Sequence, residues 1–298
     1  MSPPDDLSAT GVILGVAGAC LLAVADAGKR HLAATLSPLP AAWITVLIGA
    51  LGVWGALALT GIPVPAWGDL WGVFLLCGVL GLAGEILFLR GARDTDFSVG
   101  MPLLSIIPVC SLLLGVVFYG HVPGGLALGG IMLVVAGGYL LGVKLPLRSN
   151  VWAPMRLLFA DRGCRSILGA AVIGALIFAL QQPLVDRSSP LFFFGCLLAF
   201  QAAGFSGLMM WRRQPLGREL NSRLPFILGV SLLWAAGLGC TFASHALMLK
   251  AYSSSILQLK GVLAVMIGCW WFGEEGFRQR LGAVVLMLLG VIVILRFG

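Results

Sequence analysis

The sequence predicts an all-α membrane protein with ten transmembrane helices, arranged as two inverted repeats of five helices each. Three observations lead to this fold class. First, the 298-residue chain is 59% hydrophobic and only 10% charged, whereas a soluble domain carries about 25% charged residues. Second, its apolar stretches approach the roughly 20 residues that a helix needs to cross the hydrocarbon core. Third, similar motifs occur in the same order in its two halves.

Ten apolar stretches are candidate spans. A basic linker at 144–165 separates five of them, within 1–143, from the other five, within 166–298. We expect the first span to stay uncleaved, because the preceding MSPPDD is acidic where a signal peptide is basic. The predicted spans cover 8–28, 40–61, 70–90, 97–118, 124–143, 166–184, 190–210, 224–247, 253–272 and 280–296.

Short motifs of the first half have counterparts in the second. KRHLAATLSPLPAAW at 29–43 corresponds to QQPLVDRSSPLFFFG at 181–195, and GEILFLRGAR at 84–93 corresponds to ASHALMLKAY at 243–252. Because five is an odd number, the second copy must cross the membrane in the opposite direction to the first. Many secondary transporters share this plan, with the substrate site near the membrane midplane between the repeats.

The basic residues lie mostly on one side of the predicted membrane. The loops after the odd-numbered spans hold fifteen Lys and Arg residues, and the other side holds Arg187, Lys250 and Arg296. The positive-inside rule makes the richer side cytoplasmic, which places both termini outside a cytoplasmic (inner) membrane. A basic surface beside anionic lipid accounts for the net charge of +7, so we expect no nucleic-acid partner.

Two long segments resemble the drug/metabolite transporter superfamily, specifically its ten-helix EamA-like members. They are ARDTDFSVGMPLLSIIPVCSLLLGVVFYG at 92–120 and KAYSSSILQLKGVLAVMIGCWWFGEE at 250–275. Glu274 stands where the family typically has Gly-Glu, whereas the first repeat has His121 there. The resemblance implies a secondary active transporter of a small metabolite, often an exporter, without an ATPase. Its members are usually described with both termini in the cytoplasm, opposite to the charge count.

Two charged residues within the predicted spans are the main site candidates. An ionisable side chain in a bilayer costs at least about 2.5–3.5 kcal/mol on insertion scales, so it needs a partner or a purpose. Lys260 is either a site for a substrate anion, a group whose charge changes during transport, or a lysine that pairs with an acid or reaches an interface. Glu85 could bind a proton, because burial disfavours a charged carboxylate, or pair with Lys29, Arg90 or Lys260. A mutual Glu85–Lys260 pair, opened by substrate or proton, is the most specific hypothesis.

Two further titratable residues are weaker candidates. Asp26 lies three residues before Lys29 and four before Arg30, a spacing that favours a local pair on one helix. His245 is a single histidine in the predicted eighth span. It is either a ligand of substrate or a hydrogen-bonded residue of the core.

Neutral polar and aromatic side chains complete the candidates. Gln181 and Gln182 precede Pro183, which is expected to end or kink the sixth span and free backbone groups for binding. Gln258 lies two residues before Lys260, so the two cannot both point straight into one cavity. Trp43 could stack on a substrate, although lipid or core contact is the alternative.

Other function classes have little support in the sequence. The histidines are few and widely spaced, and neither H-E-x-x-H nor G-x-S-x-G occurs. The seven cysteines are scattered without C-x-x-C, so we expect core residues and no metal or cofactor. Ten apolar helices offer little lining for a channel. The partners expected are a lipid bilayer and a small-molecule substrate, with proton coupling open, in a monomer or homodimer. The remaining alternative is a flippase for a lipid or lipid-linked sugar.

Overall fold

A computed structural model gives the structure of most of the chain. It describes residues 8–60, 67–96, 100–101, 103–120, 124–142, 161–213, 223–248, 250–273 and 277–297. Within these residues the regular structure is all helical, without a strand. The predicted all-α fold class is therefore confirmed. The basic linker lies almost wholly outside the described residues, and the boundaries of the two repeats remain predictions.

Most of the described residues are helical, and the segments between consecutive helices are mostly short. Two 3₁₀ turns, Gly68–Leu70 and Leu104–Ile106, precede the third and fourth α-helices. The α-helices are α1 (Ala9–Thr35), α2 (Pro38–Thr60), α3 (Trp71–Asp94), α4 (Ile107–Tyr119), α5 (Gly125–Gly142), α6 (Arg162–Leu180), α7 (Gln182–Asp186), α8 (Pro190–Trp211), α9 (Leu224–Leu247), α10 (Lys250–Leu257), α11 (Leu259–Trp271) and α12 (Phe277–Phe297).

Several helices are long and apolar enough to cross a membrane. By length and composition, six qualify among the described residues, and three shorter apolar helices accompany them. A multi-pass membrane protein is thus supported, while the number of ten spans stays a prediction. The six are Ala9–Thr35, Pro38–Leu59, Gly68–Asp94, Arg162–Leu180, Pro190–Trp211 and Leu224–Leu247, and the shorter ones are Gly125–Gly138, Ser255–Trp271 and Gly282–Ile294.

Side-chain caps fix where three helices begin. The hydroxyl of Ser8 accepts a hydrogen bond from the Gly11 N–H at 3.4 Å, at the start of α1. The carboxylate of Asp161 caps α6 in the same way, and the hydroxyl of Ser189 caps α8, whose first residue is Pro190. These are the residue types favoured at these positions, because they satisfy N–H groups that lack a partner in the first turn.

Helix α1 extends further than the sequence indicates. The predicted first span ends at residue 28, but the helix continues to Thr35. Lys29 and Arg30 are therefore helical residues and not loop charges. Lys29 is also buried, so it does not contribute to the charge asymmetry of the loops.

Close glycine contacts bring helices of the two halves together. A Cβ on Gly18 of α1 would lie 3.1 Å from the carbonyl oxygen of Gly237 in α9. A Cβ on Gly91 of α3 would lie 2.8 Å from the carbonyl oxygen of Gly163 at the start of α6. Helices of membrane proteins use small residues in this way to let their backbones approach. The α1–α9 and α3–α6 pairs form the walls of the cavity described next.

Two apolar segments are interrupted at corresponding places. The 3₁₀ turn Leu104–Ile106 precedes α4, and Gln258 separates α10 from α11. When VVFYG at the end of α4 is aligned with CWWFG at the end of α11, Ile107 corresponds to Lys260. The continuous span predicted at 253–272 is therefore two helices, with tight turns about Gln258 in place of regular α-helical bonding.

Candidate functional site

One cavity gathers most of the interior charge of the described residues. It has a volume of about 210 Å³, and its walls come from α1, α3, α6, α8, α9 and the two interrupted segments. Most of its lining is apolar, as is usual for a small-molecule site. Its ionisable and amide side chains are Asp26, Lys29, Glu85, Gln201 and Lys260.

Lys29 and Glu85 form the tighter of two ion pairs in the cavity. The Lys29 Nζ donates a hydrogen bond to Glu85 Oε1 at 2.5 Å, and the two side chains are 1% and 12% exposed. The same Nζ lies 3.6 Å from the centroid of the Trp234 ring, which adds a cation–π contact. Trp234 itself lines the cavity. The lysine is thus held by a carboxylate and an aromatic face.

Lys260 and Asp26 form the second pair. The Lys260 Nζ lies 3.3 Å from Asp26 Oδ2, and the side chains are 12% and 5% exposed. This contact joins α11, in the second half of the chain, to α1 in the first. The expected Glu85–Lys260 pair is not formed, since each residue has a different partner. Asp26 likewise pairs across helices, although its spacing along α1 favours a local contact.

The position of α1 explains why the observed ion pairs differ from the expected Glu85–Lys260 pair. Asp26 and Lys29 are three residues apart and therefore lie on the same face of that helix. Both line the cavity, where α3 brings Glu85 to one of them and α11 brings Lys260 to the other. The two cations and two anions balance, so the cavity carries no net charge in this form. Buried ion pairs tolerate the loss of one partner poorly, at about 3–5 kcal/mol.

Gln201 is a cavity residue that the sequence interpretation missed. It lies on α8, is 6% exposed and lines the cavity. No described residue makes a hydrogen bond to its side chain. The signal was available, because it is a lone glutamine in the apolar run FFFGCLLAFQAAGFSGLMM. Lys29 was also missed as a site residue, because it was assigned to a loop.

Aromatic rings supply much of the remaining wall. Five line the cavity, on α3, α6, α8 and α9, and they offer flat apolar faces beside the ion pairs. Trp43 is not among them: its indole N–H donates to the hydroxyl of Ser206 at 2.8 Å and joins α2 to α8. The five are Phe88, Phe178, Phe194, Trp234 and Phe242.

His245 belongs to a separate polar cluster. Its Nδ1 lies 2.7 Å from the Thr241 carbonyl oxygen and 3.1 Å from Ser253 Oγ. Ser253 Oγ in turn lies 2.7 Å from Ser244 Oγ, which donates to the carbonyl oxygen of Gly11 at 2.8 Å. The His245 ring also stacks on Phe178, with centroids 4.8 Å apart. His245 therefore lies behind the cavity wall and does not line it.

The three remaining candidates lie at helix interruptions. Gln181 follows α6 and precedes the short helix α7, as the position of Pro183 predicts. Gln181 is 1% exposed, and its Oε1 has no hydrogen-bond partner among the described residues. Gln182 is half-buried and Gln258 is buried. None of the three glutamines lines the cavity, and a part for them in binding stays a prediction.

Comparison with known proteins relates the chain to a family. Residues 9–143 match the model of the EamA-like transporter family. The match places the chain among the EamA-like members of the drug/metabolite transporter superfamily. The protein is accordingly a membrane transporter of that superfamily.

A solved structure extends the likeness of fold beyond residue 143. Its title reads only "Crystal structure of protein". It is 14% identical, has a TM-score of 0.71, and the match covers 96% of both chains. At this identity the likeness concerns the fold alone. No curated protein matches this EamA-like chain.

Proposed function

We propose that this EamA-like protein is a secondary active transporter that exports a small soluble metabolite across the cytoplasmic membrane by alternating access. The observation that carries the proposal is the cavity with two cations and two anions, drawn from both halves of the chain. Keeping charge inside a membrane protein is costly. Paired charges around an open space, and not in a packed core, are what a carrier of polar solutes requires.

The two ion pairs have different places in this proposal. Lys29 and Glu85 both lie in the first half, on α1 and α3, so movement of one half against the other leaves their contact intact. Asp26 and Lys260 lie in different halves. Their contact must lengthen or break if the halves separate on one side of the membrane. We therefore assign the Asp26–Lys260 pair as the contact that opens during transport.

Opening that pair offers a simple coupling between solute and conformation. A separated Lys260 ammonium and Asp26 carboxylate each need a new partner, because an unpaired buried charge is unfavourable. A polar group of the solute can partner Lys260. A proton taken up by Asp26 removes the negative charge. Either event stabilises the state in which the halves have moved apart, which is the differential interaction that a transport cycle needs.

The first test is the accessibility of position 260. The seven native cysteines are replaced, and Lys260→Cys is labelled in sealed vesicles with a membrane-impermeant maleimide from each side in turn. We expect labelling, because water must reach a transport cavity, and we expect a metabolite extract to slow it. Met266→Cys is the matched control on α11, since Met266 is 46% exposed on the outer surface of the protein and should face lipid.

A second cysteine position keeps the test valid if the Lys260 variant misfolds. Ile173 lines the cavity from α6 and has no charge to lose, so Ile173→Cys should label like position 260. No labelling at either position in folded protein would contradict the carrier proposal. Protection of both by copurified lipid, and not by the metabolite extract, would favour the flippase alternative. The side that reacts also tests the predicted placement of the termini outside.

A further inference from the structure

Gln201 is the one carboxamide side chain that lines the cavity, and no described residue hydrogen-bonds to it. The four charged side chains form two pairs, whereas the carboxamide of Gln201 makes no hydrogen bond to any described residue. The residue is nevertheless buried, with only 6% of its surface exposed. Buried polar groups are almost always hydrogen-bonded, and one that lacks a partner is unfavourable. Such a group facing an open cavity indicates a ligand.

Gly81 creates the place that this carboxamide occupies. Gly81 lies on α3 and lines the same cavity. A Cβ at this position would collide with Gln201 Nε2 and would lie 3.1 Å from Gln201 Cδ. The absent side chain of residue 81 therefore lets the amide of α8 rest against α3 at the cavity surface.

We infer that Gln201 binds an amide-type group of the ligand, meaning an N–H beside a C=O on a flat molecule without net charge. This inference rests on the proposed transport function and specifies its substrate class. A carboxamide offers one acceptor oxygen and two N–H donors. A ligand with a donor and an acceptor side by side satisfies both kinds of atom at once. A carboxylate would occupy the N–H groups and leave Gln201 Oε1 unpaired.

The charges of the cavity favour a neutral ligand. Lys29 pairs with Glu85, and Lys260 pairs with Asp26, so the protein contributes no excess charge for a ligand to balance. A ligand with net charge would bring an uncompensated charge into a site of low polarity, which is expensive. A neutral ligand leaves the pairs able to exchange contacts with its polar edge.

The aromatic walls favour a flat body for that ligand. Phe88, Phe178 and Trp234 line the cavity from three different helices. Aromatic faces attract planar groups through stacking and edge-to-face contacts. The cavity thus combines flat apolar faces with one carboxamide that can bind an amide. A planar amide or lactam is the class of ligand that fits both features.

Three probes of nearly the same shape test the charge and the amide separately. Benzamide is neutral, benzoate is its anionic counterpart and benzamidinium its cationic counterpart. Binding of each to the purified full chain in nanodiscs is measured by calorimetry. We expect benzamide to bind at least about tenfold more tightly than either ion, since one unpaired buried group corresponds to about a tenfold change.

Variants of Gln201 and Gly81 test whether these residues bind the amide group of the ligand. Gln201→Leu and Gly81→Ala should each weaken benzamide binding about tenfold or more, and Gln201→Glu should move the preference to benzamidinium. Thr45→Val removes a buried polar group outside the cavity, on α2, and should leave binding unchanged. Gly72→Ala is the control on α3, since a Cβ there meets nothing within 4 Å.

The outcomes separate this inference from the proposed function. Equal benzamide binding by Gln201→Leu and Thr45→Val overturns the inference, as does tighter binding of either ion by the native protein. Failure of every probe to bind, with positions 173 and 260 labelled from solution, also overturns it and leaves the carrier proposal standing. Gln201-dependent binding of benzamide, with neither position accessible and no flux in proteoliposomes, supports the inference and contradicts transport.

Discussion

The interior of the protein contains two polar clusters of opposite character. The cavity holds Asp26, Lys29, Glu85 and Lys260, which are charged and surround an open space. The cluster of Ser244, His245 and Ser253 contacts α1 through the Gly11 carbonyl, and its hydroxyls are closely packed and bonded to one another. Both join α1 to helices of the second half. The first retains room and an unpaired amide, while the second shows bonded partners for its hydroxyl groups.

The difference shows that polarity alone does not identify a binding site in a membrane protein. A neutral, satisfied cluster contributes to helix association, where hydrogen bonds between helices average well under 2 kcal/mol. Charged groups beside a cavity carry a much larger penalty if they lose a partner. The contrast leads to three predictions, ordered from a large expected effect on stability to no effect.

Removing Lys29 should have the largest effect. Lys29→Met leaves Glu85 buried without its partner, at an expected cost of about 3–5 kcal/mol, measured as a lowered thermal midpoint in detergent. Lys29→Met combined with Glu85→Leu should recover most of the stability, because an apolar pair often replaces a buried ion pair without loss. We expect the double variant to remain inactive in transport. Stability unchanged in the single variant would mean that Glu85 does not depend on Lys29.

Removing one hydroxyl of the neutral cluster should have a smaller effect. Ser253→Ala breaks contacts to Ser244 and His245, and we expect a cost of about 0.5–1.5 kcal/mol, as for a typical internal hydrogen bond. Flux in proteoliposomes should stay as in the native protein. Ser206→Ala, which removes the hydroxyl that accepts from Trp43, is the matched control. Loss of flux from stable Ser253→Ala protein would make the cluster part of the transport machinery.

An exposed ion pair should contribute least. Arg187 donates to Asp69 at 2.9 Å, but the two side chains are 51% and 80% exposed. Surface pairs of this kind usually add little, since water and salt screen them. We expect Asp69→Asn to leave both the thermal midpoint and its salt dependence unchanged. A clear loss of stability on this substitution would show that the pair anchors the turn before α3 to the turn after α7.

Some features could be predicted because their cause is local. The interruption after α6 follows from Pro183, which cannot continue a regular helix, and the start of α8 follows from Ser189 and Pro190. Lys260 and Glu85 stand out because a charge in an apolar run is costly wherever the helix is placed. Gln201 carries a similar signal and was predictable in the same way. The break at Gln258 was not, because no proline stands near it in the sequence.

The amino-acid sequence by itself determined that this EamA-like protein is a helical membrane protein with few interior charges. The reason is that composition and the length of the apolar stretches decide whether a segment crosses a bilayer as a helix. Only the tertiary structure decided which charges meet. Asp26 has basic neighbours along α1, yet it pairs with Lys260, which is 234 positions away in the chain. A side chain reaches only a few ångströms, so its partner depends on which helices pack beside it. That choice depends on close contacts such as Gly18 against Gly237, which no single segment encodes.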